Sequence, residues 1–302
     1  MNSNKYRGSP VWRAGTAYLL ILPGLLLFSF FFLYPILFSI QLSTTNANFF
    51  NFIRGYESIG LENFKKLIIE GKFYPPLLST LLFIITSVSL KVLSGLFFAS
   101  LLSSSQLRFK HILRPLFLTP WAVPWFFIVL IWRGMFNQDF GIINQVLQFA
   151  GLPQVNWLNN TWNAFVVYNL VEVYLTYPFM TTVILSAIQS IPSDLYESAI
   201  VDGAGSWDPF IYITLPLIKK PLSWATLMTT IASYLIFGVP FLLNSGGPAG
   251  TNETLLVFGY KKAFELGRYG FAAAFMVLVF TLLILLVILF SKATKITEEE
   301  LI

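Results

Sequence analysis

Six long apolar segments dominate this chain of 302 residues and leave few ways to fold it. A helix that crosses a bilayer needs about 20 mostly apolar residues. Only 11% of the residues are charged and 56% are hydrophobic, whereas about a quarter of the residues of a typical soluble domain are charged. The sequence therefore predicts an all-α, polytopic membrane bundle with six transmembrane helices, at residues 16–43, 78–103, 112–133, 163–190, 219–243 and 270–291.

The first apolar segment is too long to be a cleaved leader. It follows a basic N-terminus, and no charged residue occurs between Ala14 and Ile53, whereas the apolar part of a signal peptide has roughly 7–15 residues. We therefore interpret it as a retained first span, so that six spans place both termini on one side.

Charge in the short connections predicts which side this is. Residues 104–114 contain three basic residues and no acid, whereas 134–162 contain one acid, Asp139, and no base. Arg133 at the edge of the second connection weakens the contrast, but the bias still favours cytoplasmic termini. We expect a cytoplasmic N-terminal segment at 1–15 and a cytoplasmic tail at 292–302.

A polar segment at 192–212 separates the fourth and fifth spans. It contains Asp194, Glu197, Asp202 and Asp208, four of only fourteen acids. Pro192-Ser193-Asp194 can begin a helix, with Asp194 and Glu197 spaced as in a capping box, and a second short helix can begin near Pro209. Because Gly203 allows a turn between them, we expect two short cytoplasmic helices that together present an acidic surface to a partner.

Other chemistries find little support in the sequence. No G-x-x-x-x-G-K-[ST] motif is present to hold nucleotide phosphates, and the chain has no Cys and a single His, His111. We therefore expect no catalytic residues, no metal site and no cofactor held by this chain. The net charge of +5 is interpreted as a topology signal, and nucleic acid is not expected as a partner.

Polar and aromatic side chains recur on one face of several spans, which is typical of residues that line a path. Glu172 lies on such a face of the fourth span, and Trp121 and Trp125 are four residues apart in the third. Two interpretations remain open for the tryptophans, a substrate site and an interfacial belt, and for Thr226 helix packing is favoured. The other residues of these faces are Asn169, Thr176 and Phe179 in the fourth span and Thr229, Thr230 and Ser233 in the fifth.

Lys91 and Glu172 are charged residues well inside predicted spans, where an unpaired charge costs about 2.5–3.5 kcal/mol on insertion scales. They can pair as a structural bridge. Alternatively, Glu172 faces a cavity and binds hydroxyl groups of a solute, while Lys91 extends toward lipid headgroups or a partner subunit. We favour the cavity for Glu172.

The polar segment carries a recognisable signature. Glu197, Ser198, Ala199 and Gly203, followed by Ile213-Thr214-Leu215-Pro216, match the pattern Glu-Ala-Ala, three residues, Gly, nine residues, Ile-x-Leu-Pro, with Ser198 as the one departure. This pattern resembles the membrane subunits of binding-protein-dependent ABC importers. The likeness extends over nearly the whole chain, to the sugar permeases, and is nearest to the larger maltose/maltodextrin permease subunits, which have eight spans and a large external domain where this chain has six.

The resemblance implies a type I permease domain at 16–291 that moves a neutral sugar by alternating access. Its coupling helices, at 192–212, would contact an ATP-binding subunit through Glu197, Ser198, Ala199, Asp202, Gly203 and Ala204. It also implies a second permease subunit, two ATP-binding subunits that hold ATP and Mg²⁺, an extracytoplasmic sugar-binding protein and membrane lipid as partners. Positions aligned with sugar contacts of the maltodextrin type are Trp121, Trp125, Glu172, Leu175, Thr176, Phe179, Ser233 and Ile236.

A second function class remains open from the sequence. Lys91 and Glu172 could form an ion or proton relay in a secondary transporter or channel that works alone. A stable ATP-hydrolysing partner on purification would discriminate against it.

Overall fold

The computed structural model describes residues 10–104, 107 and 109–294, together with most of their side chains. Residues 1–9 of the predicted N-terminal segment and 295–302 of the predicted tail lie outside the described residues. Throughout the described part the chain is helical, and it contains no strand beyond an isolated bridge between Thr45 and Ser58.

The N-terminal span lies at the outside of the bundle and contacts it through its second half, which packs against the last helix of the chain (Tyr269–Thr294). α1 (Pro10–Phe28) continues through a π-helical segment (Ser29–Leu33) into α2 (Tyr34–Ser43). No side chain in the most apolar stretch of this span is buried within the chain. The connection that follows is fixed at Asn63, whose amide nitrogen donates to the carbonyls of Ser43 (2.9 Å) and Thr45 (2.8 Å).

Two long helices form the centre of the bundle. After the short α3 (Glu62–Ile68), α4 (Tyr74–Ser103) packs along α9 (Thr161–Gln189). Their close approach occurs at Gly95, where a Cβ atom would lie 2.6 Å from Cβ of Met180. Small residues allow such approaches between membrane helices.

The third predicted span, at 112–133, is broken into three helices. Residues 110–135 form α5 (Lys110–Phe117), α6 (Thr119–Ala122) and α7 (Trp125–Met135). Val123 is extended, with φ −111° and ψ 134°, because the ring of the following proline disfavours helical backbone at the residue before it. A short α8 (Ile142–Phe149) leads from α7 toward α9.

The polar segment forms the two short helices expected from its sequence. α10 (Ser193–Val201) is followed by a π-helical segment (Pro209–Thr214) and the single turn α11 (Leu215–Leu217). The prediction of a capping box at Asp194 and Glu197 is wrong, because the helix begins after Pro192 and no side chain caps its first turn.

The C-terminal part contains a second interrupted span. α12 (Lys219–Tyr234) and α13 (Gly238–Asn244) are separated by residues 235–237. They are followed by α14 (Leu255–Tyr260), a π-helical segment (Lys261–Glu265) and α15 (Tyr269–Thr294).

Within the described part, five helical stretches are long and apolar enough to cross a membrane. The sixth predicted crossing therefore has no continuous helix of sufficient length; its longest piece is α7. The five stretches are Gly15–Ser43, Tyr74–Ser103, Thr161–Gln189, Lys219–Asn244 and Tyr269–Thr294.

Candidate functional site

A cavity of about 610 Å³ opens where the two interrupted spans meet α9. Residues 120–125, around the break before α7, form one wall, and residues 235–239, around the break before α13, form another. Irregular backbone at membrane depth is tolerated where it is buried in protein or lines a cavity. The two helix breaks thus coincide with the wall of the cavity.

The two tryptophans lie on this wall with about half of their surface free. Trp121 is 54% exposed and Trp125 is 49% exposed. Gly238 leaves room for the second indole, because a Cβ atom there would collide with its six-membered ring. Gly238 was not among the residues predicted from the sequence, although a glycine inside an apolar span is a signal of close packing.

Helix α9 supplies the third wall through Glu172, Leu175 and Thr176. The hydroxyl of Thr176 donates to the Glu172 carbonyl in the preceding turn, at 2.6 Å. Glu172 is the one ionisable side chain among the described residues that line the cavity.

Glu172 is paired with Lys91 from α4. Nζ of Lys91 lies 2.9 Å from Oε1 of Glu172 and 2.9 Å from Oγ of Ser233 on α12. Lys91 is fully buried and Glu172 is 6% exposed. The expectation that Lys91 extends toward lipid headgroups or a partner is therefore wrong, and the two interpretations of Glu172 combine, since it pairs with Lys91 while it lines the cavity.

The structure brings six of the eight predicted path residues to this cavity and leaves two outside its wall. Ser233 is fully buried behind the wall against Lys91, and Phe179 packs with the apolar cluster around Met180. Whether the six contact a substrate stays a prediction. They are Trp121, Trp125, Glu172, Leu175, Thr176 and Ile236.

The remaining polar residues of these helix faces lie outside the cavity wall, and their side chains bond within their own helix or to a neighbouring helix. The hydroxyls of Thr226 and Thr230 donate to carbonyls one turn earlier in α12, and Thr229 is buried against Met180. Asn169 accepts a hydrogen bond of 2.9 Å from the Thr86 hydroxyl of α4. Contacts between helices are therefore seen for Thr229 and Asn169, whereas Thr226 and Thr230 bond to their own helix.

A larger cavity, of about 720 Å³, is less suited to a polar solute. Its described lining, between α2, α14 and α15, is apolar apart from Ser39 and the hydroxyls of Tyr260 and Tyr269. A solute with many hydroxyl groups would lose its hydrogen bonds to water there without replacing them.

The short helices between α9 and α12 form a second candidate site. Gly203 adopts the left-handed conformation (φ 83°), its N–H donates to the Ile200 carbonyl (3.1 Å), and the N–H of Ala204 donates to the Ala199 carbonyl (2.9 Å). These bonds form a Schellman motif, which favours glycine where the chain turns left-handed. The turn is further held by Asp208, whose carboxylate accepts from the N–H of Gly205 at 2.7 Å.

This segment presents acids and apolar side chains together. Glu197, Ser198 and Asp202 are exposed, while Ala199 and Ala204 are partly buried. An apolar patch on a polar surface is typical of a site that binds another protein. The sequence analysis did not identify its members, the exposed side chains of Ile200, Val201, Trp207 and Tyr212.

The chain is similar in sequence to known membrane transport proteins. The family described as "Binding-protein-dependent transport system inner membrane component" matches residues 91–294. The trehalose/maltose transport system permease protein MalF of Thermococcus litoralis is 34% identical over 297 residues, which cover 98% of this chain and 97% of that protein. The galactooligosaccharides transport system permease protein GanP of Bacillus subtilis is 30% identical, over 99% of this chain and 75% of that protein.

A solved structure has the same fold. A chain from the crystal structure of a bacterial alginate ABC transporter, in complex with an alginate pentasaccharide-bound periplasmic protein, superposes with a TM-score of 0.79. It is 21% identical, and the match covers 93% of this chain and 94% of that chain. At this identity the likeness concerns the fold.

Proposed function

The chain belongs to the family of binding-protein-dependent transport system inner membrane components, and we propose that it carries an uncharged sugar or oligosaccharide through the membrane as one of two permease subunits of an ATP-driven importer. Its fold is that of an ABC importer permease. In the proposed complex, a second permease subunit, an extracytoplasmic binding protein and two ATP-binding subunits complete the transporter, and both termini are cytoplasmic.

The observation that carries this proposal is the 610 Å³ cavity with two half-exposed indoles and one carboxylate. Aromatic faces cover the apolar faces of a sugar ring, and a few polar groups fix its hydroxyls. Both relatives reported above are named for sugars. The described lining has no lysine or arginine that would attract an acidic sugar.

The energy for transport comes, in this proposal, from ATP and Mg²⁺ held by the separate ATP-binding subunits. The exposed segment from α10 to α11 docks on them, with Glu197 as its polar contact and Gly203 as its bend. Nucleotide-driven movement of that segment alternates the access of the cavity between the two sides of the membrane.

A transporter that works alone is not favoured. The family is described as dependent on a binding protein. Lys91 is fully buried and its described hydrogen-bond contacts are Glu172 and Ser233, so an ion relay would have to break this pair at each step.

The test is uptake by the whole transporter in liposomes, with radiolabelled maltose, trehalose and galactobiose as probes. We expect ATP-dependent uptake of at least one of them, and a loss of about tenfold on Trp125→Ala, which corresponds to about 1.4 kcal/mol of lost ring contact. Trp162→Ala is the matched control, since Trp162 is exposed at the start of α9 outside the cavity. Uptake without ATP, or equal effects of both substitutions, would contradict the proposal.

A further inference from the structure

Lys91 joins three helices at the back of the cavity wall. It lies on α4, and its ammonium group contacts Glu172 of α9 and Ser233 of α12, each at 2.9 Å. A lysine ammonium has three donors, and these two contacts use two of them. The side chain is 0% exposed, so bulk solvent does not reach it.

The two members of this ion pair differ in their relation to the cavity. Glu172 is part of the described lining, whereas Lys91 is not. An isolated ion is costly to bury, and a buried pair is tolerated when each charge compensates the other. The carboxylate on the wall is therefore balanced by a cation that a solute in the cavity does not touch.

We propose that Lys91 is a specificity-determining residue, whose ammonium cancels the charge of Glu172 so that the cavity accepts uncharged solutes and disfavours ions of either sign. That the uncharged solute is a sugar rests on the proposed function. The electrical neutrality of the cavity does not, and it can be measured without any transport.

Substituting each residue of the pair separately has an opposite predicted effect on the charge of the cavity. Lys91→Met leaves an uncompensated carboxylate, so the cavity attracts cations, and Glu172→Gln leaves an uncompensated ammonium, so it attracts anions. At about 10 Å and an effective dielectric constant of about 20, one unit charge changes the local concentration of a monovalent ion by about tenfold. The double variant restores neutrality.

A cysteine reporter can measure this charge, because the native chain has no Cys. Ala232 is exposed, lines the cavity and precedes Ser233, so Ala232→Cys places a small thiol on the wall. The assembled transporter in nanodiscs without nucleotide is treated with the cationic 2-(trimethylammonium)ethyl and the anionic 2-sulfonatoethyl methanethiosulfonates. The ratio of the two rates, followed by mass spectrometry of this chain, cancels changes in thiol ionisation that affect both reagents equally.

A second reporter provides the reference. Ala150 is exposed in the loop after α8 and does not line the cavity, so the ratio at Ala150→Cys should not respond to changes at Lys91 or Glu172. With the native pair, we expect the two reporters to give ratios within a few-fold of each other.

At Ala232→Cys, we expect Lys91→Met to raise the cation-to-anion ratio about a hundredfold, since the charge acts about tenfold on each ion in opposite directions, and Glu172→Gln to lower it by a similar factor. The double variant and the conservative Lys91→Arg should return it to the native value. If Lys91→Met fails to assemble, the ratios of Lys91→Arg and Glu172→Gln still test the proposal.

A ratio that does not change in Glu172→Gln, or that shifts equally at both reporters, would overturn the proposal and leave the pair as packing only. Failure of the proposed function has a different signature, namely no ATP-dependent sugar uptake by the native transporter, whatever the reagent ratios are.

Discussion

At the scale of single residues, the cavity depends on side chains that do not line it. Lys91 and Ser233 are fully buried behind the wall; Lys91 donates to the Glu172 carboxylate and to the Ser233 hydroxyl oxygen. Removing one partner of a buried pair costs more than removing both, because the remaining charge is left uncompensated. The sequence placed Lys91 and Glu172 inside spans, but it could not place them against each other, since 81 residues separate them along the chain.

Gly238 gives a prediction about the shape of the wall. A Cβ atom there collides with the ring of Trp125, so Gly238→Ala should push the indole away from its site and raise KM for sugar uptake several-fold without a loss of membrane insertion. Combining it with Trp125→Phe, which has a smaller ring, should restore part of the affinity.

Gly24→Ala in α1 is the control for Gly238→Ala, because nothing lies within 4 Å of a Cβ atom at that position. A native KM in Gly238→Ala would show that the indole position does not depend on this contact.

At the scale of elements, the bundle combines one tight helix pair with two broken spans. α4 and α9 pack closely at Gly95, whereas residues 123–124 and 235–237 interrupt their spans beside the cavity. The freed carbonyl of Ile236 is satisfied by the Thr254 hydroxyl at 2.9 Å. Such local compensation makes broken helices compatible with the membrane interior.

Gly95→Ala tests the tight pair. Alanine is favoured over glycine inside a helix by about 1 kcal/mol, yet here its Cβ would lie 2.6 Å from Cβ of Met180 and 3.2 Å from the Met180 carbonyl carbon. We expect the steric overlap to outweigh the gain in helix propensity and to destabilise the protein by about 1–3 kcal/mol. The midpoint of thermal unfolding in detergent should fall accordingly.

The matched control for Gly95→Ala is Gly134→Ala in α7, which has open space around the new methyl group. It should unfold at the native temperature or slightly above it. The assignment of Gly95 as a close-packing residue fails if both variants unfold at the same temperature.

At the scale of the whole molecule, the exposed short helices connect two helices that line the cavity, α9 and α12, along the chain. α9, which carries Glu172, Leu175 and Thr176, leads into α10, and the π-helical segment leads through α11 into α12. The two short helices are tied by Tyr196 and Thr214, whose hydroxyl oxygens are 2.9 Å apart. A displacement of this segment as one piece would therefore move α9 and α12 together.

Glu197→Lys tests this connection. The reversed charge should weaken the contact with a basic surface on an ATP-binding subunit, so we expect normal membrane insertion, continued ATP hydrolysis and sugar uptake lowered about tenfold, the equivalent of about 1.4 kcal/mol. Uptake and hydrolysis are measured in the same liposomes.

Asp139→Lys makes the same change of charge on an exposed residue in the connection between α7 and α8, and it should leave both rates unchanged. Unchanged uptake in Glu197→Lys would remove this residue from the coupling role.

The sequence by itself determined the membrane class, the positions of five spans and the short helices between the fourth and fifth, because apolar length, proline and glycine act locally along the chain. The spacing from Glu197 to Pro216 also identified the family before any contact was known. Only the tertiary structure decided that Lys91 lies between Glu172 and Ser233, and that Trp125 packs where Gly238 leaves room for its ring. These features depend on contacts between helices far apart in sequence, where periodicity gives the face of a helix but not the neighbour it meets.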